Sequence, residues 1–320
     1  MEPKMPGFGD FSPVSYQLPD PLDLRVQVTE ETDLRSLTPA QLYELNQNYL
    51  DDTVPSSQPP ISELAPLSTL RTEYEGSSGS FIKQIDFLIQ QGYEGIRRSR
   101  GDGDCFYRSL IFAYIERIFS QEDRKVAVDS SVSTLQDFLP RLREVGFKDM
   151  VVDESYEIPR DLIRGIIDPE PVSMSTNGTT LTPAHLLREF QDESTSKYLV
   201  TFMRMITSTQ IQGEPETYEP FLTHPDTGET MGVKDFCRIV VEVLGKEADH
   251  VQLTALSQAL KVNLKIAYLD GRSQDGRVEF VSFNYASDGK ETPLTLIYRP
   301  GHYDILDRRS SEPLPINPSP

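Results

Sequence analysis

The chain has 320 residues and a mass of 36.2 kDa, enough for two domains or for one large domain with unfolded ends. With 31 Lys and Arg against 50 Asp and Glu, its formal net charge is −19. That charge excludes a general phosphate-backbone binder and disfavours docking on an anionic membrane, so neither nucleic acid nor membrane is an expected partner. Hydrophobic residues make up only 37%, so part of the chain is expected to stay outside any core.

No window is apolar enough to span a bilayer, and residues 1–20 are polar and proline-bearing, with no secretory h-region. Two cysteines, Cys105 and Cys237, make no disulfide framework. The four histidines, His185, His224, His250 and His302, lack metal-site spacing, so neither a metal nor a cofactor is expected. The composition reads as an acidic, soluble protein of the cytoplasm or nucleus.

Ten of the 24 prolines fall in the first 66 residues and four in the last eight. Proline fixes φ and removes a donor, so residues 1–60 are expected to form a largely disordered arm and 309–320 a disordered tail. One island, 38–50, carries a threonine N-cap, a proline at N1 and Leu42, Leu45 and Leu50, and predicts a short helix in that arm.

The folded domain is expected over 61–308. Apolar residues at helical spacing predict helices over 80–91, 104–119, 197–206, 233–244 and 251–260. Alternation then predicts strands over 262–270, 277–283 and 295–299. Helices first and strands late imply an α+β domain, with helical layers on a small antiparallel or mixed sheet. Residues 169–183 read as a polar loop, and its Asn177-Gly178-Thr179 is taken as a chance glycosylation match.

Cys105 lies in GDGDCFYRSLIFAYI, where a glycine turn meets a helix start. The first turn of a helix offers unsatisfied N–H groups and the positive end of the macrodipole. Both favour a thiolate, and the same N–H groups suit an oxyanion. From this local pattern alone, a nucleophile and a buried small hydrophobe both remain open. Cys237 has Val240, Val241 and Leu244 on its own helical face and reads as a core thiol. His302 lies in IYRPGHYDIL, where a strand would put Asp304 on the same face at i+2. A carboxylate there would accept the Nδ1 proton and leave Nε2 for a thiol, although H-x-D alone equally fits a solvated histidine. His250 reads as structural beside its N-cap Asp249, and His185 and His224 as surface residues.

GDGDCFYRS followed far downstream by YRPGHYDIL resembles the ovarian-tumour (OTU) class of cysteine deubiquitinases, in its otubain branch. The stretches at 94–109, 194–208 and 231–260 are similar in order and spacing, and the resemblance covers residues 64–306. It implies a papain-like OTU cysteine protease fold. It also implies a thiol isopeptidase whose nucleophile falls on Cys105, general base on His302 and orienting acid on Asp304, with Asp102, Gly103 and Asp104 shaping the oxyanion loop. Asp104 is a departure, because the family usually has an uncharged residue before the cysteine. A carboxylate there would raise the thiol pKa unless it pointed away to cap the helix. The implied partners are ubiquitin and polyubiquitin chains, with a preference for linkage through ubiquitin's forty-eighth residue, a lysine. Ubiquitin-conjugating enzymes are implied as further partners, and a non-catalytic regulator that binds them is the competing reading. A hydrolase acting on a ubiquitin-like modifier is a third. The resemblance also places Tyr218 and Phe221 near bound ubiquitin, although core packing explains those rings equally well.

Overall fold

The computed structural model describes residues 58–76, 79–169, 179–224, 227–286 and 291–309. The expected arm, with its 38–50 helix, lies outside the described residues apart from 58–60, and so does most of the 169–183 loop.

The elements run in the order β1 (Ile61–Pro66), α1 (Ser68–Glu73), α2 (Gly79–Gln90), β2 (Gly95–Ser99), α3 (Cys105–Ile118), α4 (Arg124–Gln136), α5 (Phe138–Glu144) and α6 (Asp149–Arg164). They continue with α7 (Pro183–Gln191), α8 (Glu193–Gly213), α9 (Pro215–Tyr218), a 3₁₀ turn (Glu219–Phe221) and α10 (Val233–Phe236), which runs on as a π-helix (Cys237–Val241). The chain then forms α11 (His250–Ala259), β3 (Asn263–Tyr268), β4 (Glu279–Asn284), β5 (Leu294–Arg299) and β6 (His302–Asp307).

The fold is α+β with a mixed sheet, ordered β1-β2-β6-β5-β3-β4. Only β3 and β5 run parallel; the other neighbours are antiparallel. The expectation that strands come only late is corrected by β1 and β2, which precede the central helix. Their sequences, ISELAP and GIRRS, carry proline, glycine and charge, and they become strands by pairing with each other and with β6.

Two hydrophobic layers cover the two faces of the sheet. Strand parity assigns each residue to one of them, because directly opposed partners point the same way. Ile96, Ile297 and Leu306 face a layer built with Leu67, Leu70, Ile85 and Leu88 of the α1–α2 region. Leu264, Leu296 and Ile305 face the larger core, which contains α3 and α8. Every residue of α3 except Arg117 is buried, because the helix is covered by the sheet on one side and by α8 on another. Helix α8 runs well past its expected end at 206. Its last turns bury Thr207, Ser208, Thr209 and Gln210; Thr207 Oγ1 bonds back to the Met203 carbonyl at 2.8 Å and Ser208 Oγ donates to Glu242 at 2.6 Å. Polar residues that satisfy themselves along a buried helix hide it from an apolar-periodicity reading.

Candidate active site

The sequence GDGDC builds a loop that presents Cys105 as the first residue of α3. Gly103 has φ +79°, and a Cβ at that position would lie 2.1 Å from the Gly245 carbonyl oxygen, so only glycine fits. Asp102 folds the loop back on the helix. Its Oδ1 accepts from the Asp104 N–H at 3.1 Å, and its two oxygens accept from Arg108 Nη1 and Nη2 at 3.0 and 2.7 Å. Burial opposes the charge on Asp102, but Arg108, the Asp104 amide and Arg100 hold its pKa below the usual carboxylate range. The Asp104 amide is thereby spent on the loop. The amide of Cys105 heads the helix, where it has no intrahelical acceptor and is left for a ligand oxygen.

Strand β6 opens on His302, delivered by the Pro300-Gly301 turn. Tyr298 fixes that turn, its Oη accepting from the Gly301 N–H at 3.3 Å. His302 Nε2 lies 2.9 Å from Asp304 Oδ1, and Nδ1 is buried and finds no oxygen or nitrogen partner among the described residues, with the Cys105 sulfur as the ring's other neighbour. The ring therefore turns the opposite way from the sequence reading: Nε2 is anchored, and Nδ1 is the nitrogen left for the sulfur. Burial disfavours the imidazolium, but the Asp304 carboxylate and the adjoining Cys105 sulfur outweigh it, and the pKa is pushed up to about 9. Cys105 and His302 are only 2% and 1% exposed.

Asp304 is buried completely, with three hydrogen-bond partners and one further ion pair. Oδ1 accepts from His302 and from the Ser99 N–H at 2.9 Å, while Oδ2 takes Arg299 Nη2 at 2.6 Å and lies 3.5 Å from Arg98 Nη1. Burial alone would raise its pKa; His302, Arg299 and Arg98 drive it far below the usual range. Sequence reasoning missed both arginines, since an arginine ending a strand carries no periodic signal.

Asp104 neither caps α3 nor faces the thiol. It turns into the protein, where its Oδ1 accepts from Arg204 Nε and Nη2 at 3.0 and 2.5 Å and from the Gly245 N–H at 3.0 Å. Arg204 of α8 is almost wholly buried over the Tyr107 ring, 4.2 Å from its centroid. It also donates to the carbonyls of Val241, Gly103 and Lys246 at 2.9, 3.2 and 2.6 Å. One guanidinium thus ties the loop before Cys105 to the loop after the π-helix.

The remaining candidates sit elsewhere. Cys237 is fully buried, and burial pushes its thiol up to about 12, in keeping with a core residue. Asp249 caps α11 with a reciprocal Gln252 bond, and the His250 ring lies 5.1 Å from that of Phe283. His185 and His224 are half-buried. Tyr218 is buried, and its hydroxyl donates to Gln258 at 3.0 Å, so it packs in the core. Phe221 is 67% exposed, beside a shallow cavity lined by Glu216, Glu219, Pro220 and Met231. Among the described residues no three metal-ligating side chains come together, and no helix is long and apolar enough to cross a membrane.

Comparison with known proteins adds an independent line. The family described as Peptidase C65, otubain, matches residues 54–308. The chain is 34% identical over 258 residues to the ovarian tumor domain-containing deubiquitinating enzyme 1 of Arabidopsis thaliana, covering 78% of this chain and 80% of that one. It is 34% identical over 262 residues to the ubiquitin thioesterase OTUB1 of Homo sapiens, covering 81% and 87%. A solved complex of ceOTUB1 with ubiquitin aldehyde and UBC13~Ub is similar in fold, with a TM-score of 0.65 and 27% identity, covering 83% of this chain and 98% of that one.

Proposed function

The chain belongs to the otubain family of cysteine peptidases, and on that premise we propose that it is a deubiquitinase whose triad is Cys105, His302 and Asp304. The observation that carries this reading is the buried His302–Asp304 pair beside a cysteine that heads a helix. In the proposed reaction the Cys105 thiolate forms a C–S bond to the carbonyl carbon of ubiquitin's terminal glycine. The developing oxyanion meets the Cys105 amide. His302 Nδ1 gives its proton to the lysine nitrogen as the C–N bond breaks. The imidazole then takes a proton from water, which attacks the thioester and returns the thiolate. A cysteine that is 2% exposed favours a slender acyl group, which a chain ending in glycine provides.

The finer reading is a preference for chains joined through ubiquitin's forty-eighth residue. Ubiquitin is proposed to contact exposed Phe221 and the acidic residues Glu216 and Glu219, whose charge suits a basic rim. Ubiquitin-conjugating enzymes are proposed as further partners, because solved relatives are complexes with UBC13~Ub and UBCH5B~Ub.

The test is reaction with ubiquitin carrying a thiol-reactive electrophile at its C-terminus, then a panel of diubiquitins of each linkage. The expected result is one covalent adduct on Cys105, lost in Cys105→Ala and kept in Cys237→Ala, with fastest cleavage of the proposed linkage. Folded, reduced protein that forms no adduct would exclude the hydrolase. Inhibition of chain synthesis that persists in Cys105→Ala would identify conjugating-enzyme binding as a separate activity.

A further inference from the structure

The acid of the triad is connected to the protein surface. The register places Arg299 opposite His302, Ile297 opposite Asp304 and Ile96 opposite Leu306. Those residues, and Arg98 two positions after Ile96, therefore share the sheet face covered by α1 and α2, while Cys105 reaches the same sheet end from the other side. On that face Glu73, the last residue of α1, bonds Arg98 Nη2. Arg98 Nη1 lies 3.5 Å from Asp304 Oδ2, and Asp304 Oδ1 lies 2.9 Å from His302 Nε2. From the surface inward, the charges alternate: Glu73 negative, Arg98 positive, Asp304 negative, His302 positive. The Glu73 side chain is 36% exposed and Arg98 17%, whereas Asp304 is fully buried.

We propose that Glu73 and Arg98 are positioning residues that set, from the outer surface, how strongly Asp304 holds the His302 proton. Arg98 draws on the carboxylate's field and weakens its pull on the imidazolium. Glu73 neutralises Arg98 in part and restores that pull. Besides Asp304, His302 is faced by Cys105 of α3; Arg299 of β5 faces Asp304, with Tyr74 and Glu73 beside that arginine, and Tyr298 faces Cys105, with Glu247 and Asp249 nearby. Of these, Arg299 is the stronger partner of Asp304, but it is buried at the heart of the layer, so its loss would confound folding with tuning. Neither Glu73 nor Arg98 touches the reacting atoms; both act through Asp304.

This inference rests on the hydrolase reading, so the experiment uses two readouts on the full chain. One is kcat/KM on ubiquitin bearing a fluorogenic C-terminal amide. The other is the rate of Cys105 alkylation by iodoacetamide, located by mass spectrometry, which needs no ubiquitin. Both are measured against pH. Arg98→Gln is expected to move the basic limb upward by about half a unit. Glu73→Gln is expected to move it downward by a few tenths, roughly, because that pair is partly solvated. Opposite signs from two neighbouring substitutions are what a purely structural ion pair would not give. A limb that stays still in both variants, or moves the same way in both, overturns the proposal. If Arg98→Gln does not fold, the downward shift in Glu73→Gln decides alone. If wild-type protein cleaves no ubiquitin derivative while the alkylation limbs still move oppositely, the tuning stands and the hydrolase reading falls.

Discussion

At the scale of single residues, Asp104 shows how a charge next to the proposed nucleophile is made harmless. Its Oδ1 is shared by Arg204 and the Gly245 amide, so the carboxylate serves the loop and is turned away from the sulfur. Removing it strands a guanidinium that is 1% exposed. Breaking a buried pair by deleting one partner costs about 3–5 kcal/mol. Asp104→Ala is therefore expected to lower the denaturant midpoint by an amount corresponding to roughly 3 kcal/mol, and Asp104→Asn by less, because its amide oxygen still accepts. Neither should shift the pH dependence of Cys105 alkylation. A shift without loss of stability would mean that the carboxylate faces the thiol after all. The sequence identifies Cys105, His302 and Asp304 as candidates, since a helix start and an i, i+2 pair are local patterns. It does not show Arg98, Arg204 or Arg299 at work, because their partners lie on other elements and nothing local marks an arginine whose destination is a buried carboxylate. The ring orientation of His302 is equally out of its reach, being decided by where β6 leaves the turn.

At the scale of elements, the site is an interlock of two glycine-bearing loops, one before α3 and one after the π-helix. Gly103 and Gly245 both have positive φ, at +79° and +77°, and the first packs directly on the second. Local reading anticipates the first loop from GDGDC. It misses the second because 233–244 looks like one amphipathic helix. In the structure α10 gives way at Cys237 to a π-helix that ends at Val241, and Arg204 bonds the Val241 and Lys246 carbonyls on either side of Gly245. A π segment leaves the helical ladder early and re-aims the downstream backbone, which apolar spacing cannot report. Helix α6 escapes local reading for a related reason: it carries Pro159 inside it, ordinarily a helix breaker. Gly103→Ala tests the interlock. The new Cβ would meet backbone at 2.1 Å, with no flexible side chain to yield, and would hold a left-handed conformation that costs about 1–2 kcal/mol by itself. The expected outcome is a fall in kcat/KM of about 100-fold or more, with the melting temperature lowered far less, because the loops can part while the core stays packed. Retained activity would show that the loop before Cys105 is not held by Gly245.

At the scale of the molecule, two independently packed layers meet at one sheet end, and the site exists only where they meet. Helix α3 brings the sulfur from the larger core, while β6 delivers the imidazole and its acid on the α1–α2 face. That arrangement ties the ionisation of the site to the stability of the fold. Asp304 and Asp102 have folded-state pKa values below their ordinary 3.8. Their contribution is therefore complete above that value and is lost as pH falls through the folded pKa. His302 has the opposite sign: its folded pKa is raised above 6.5, so its contribution is complete below 6.5 and is lost as pH rises toward about 9. Cys105→Ala isolates the second effect, since the thiol no longer titrates and Asp304, the larger of the two raising causes, remains. Calorimetry of Cys105→Ala should show the melting temperature highest between about pH 4 and 6.5. It should decline on the acid side as the aspartates protonate, and on the alkaline side as the imidazolium loses its proton to solvent. Adding His302→Gln should abolish the alkaline decline and shrink the acid decline without removing it, because Asp304 loses its imidazolium partner but keeps Arg299 and Arg98, and Asp102 is untouched; Asp304→Asn should weaken both. A melting temperature that stays level above pH 6.5 in Cys105→Ala would mean that Asp304 does not hold the imidazole charged, and the anchored half of the proposed triad would have to be redrawn.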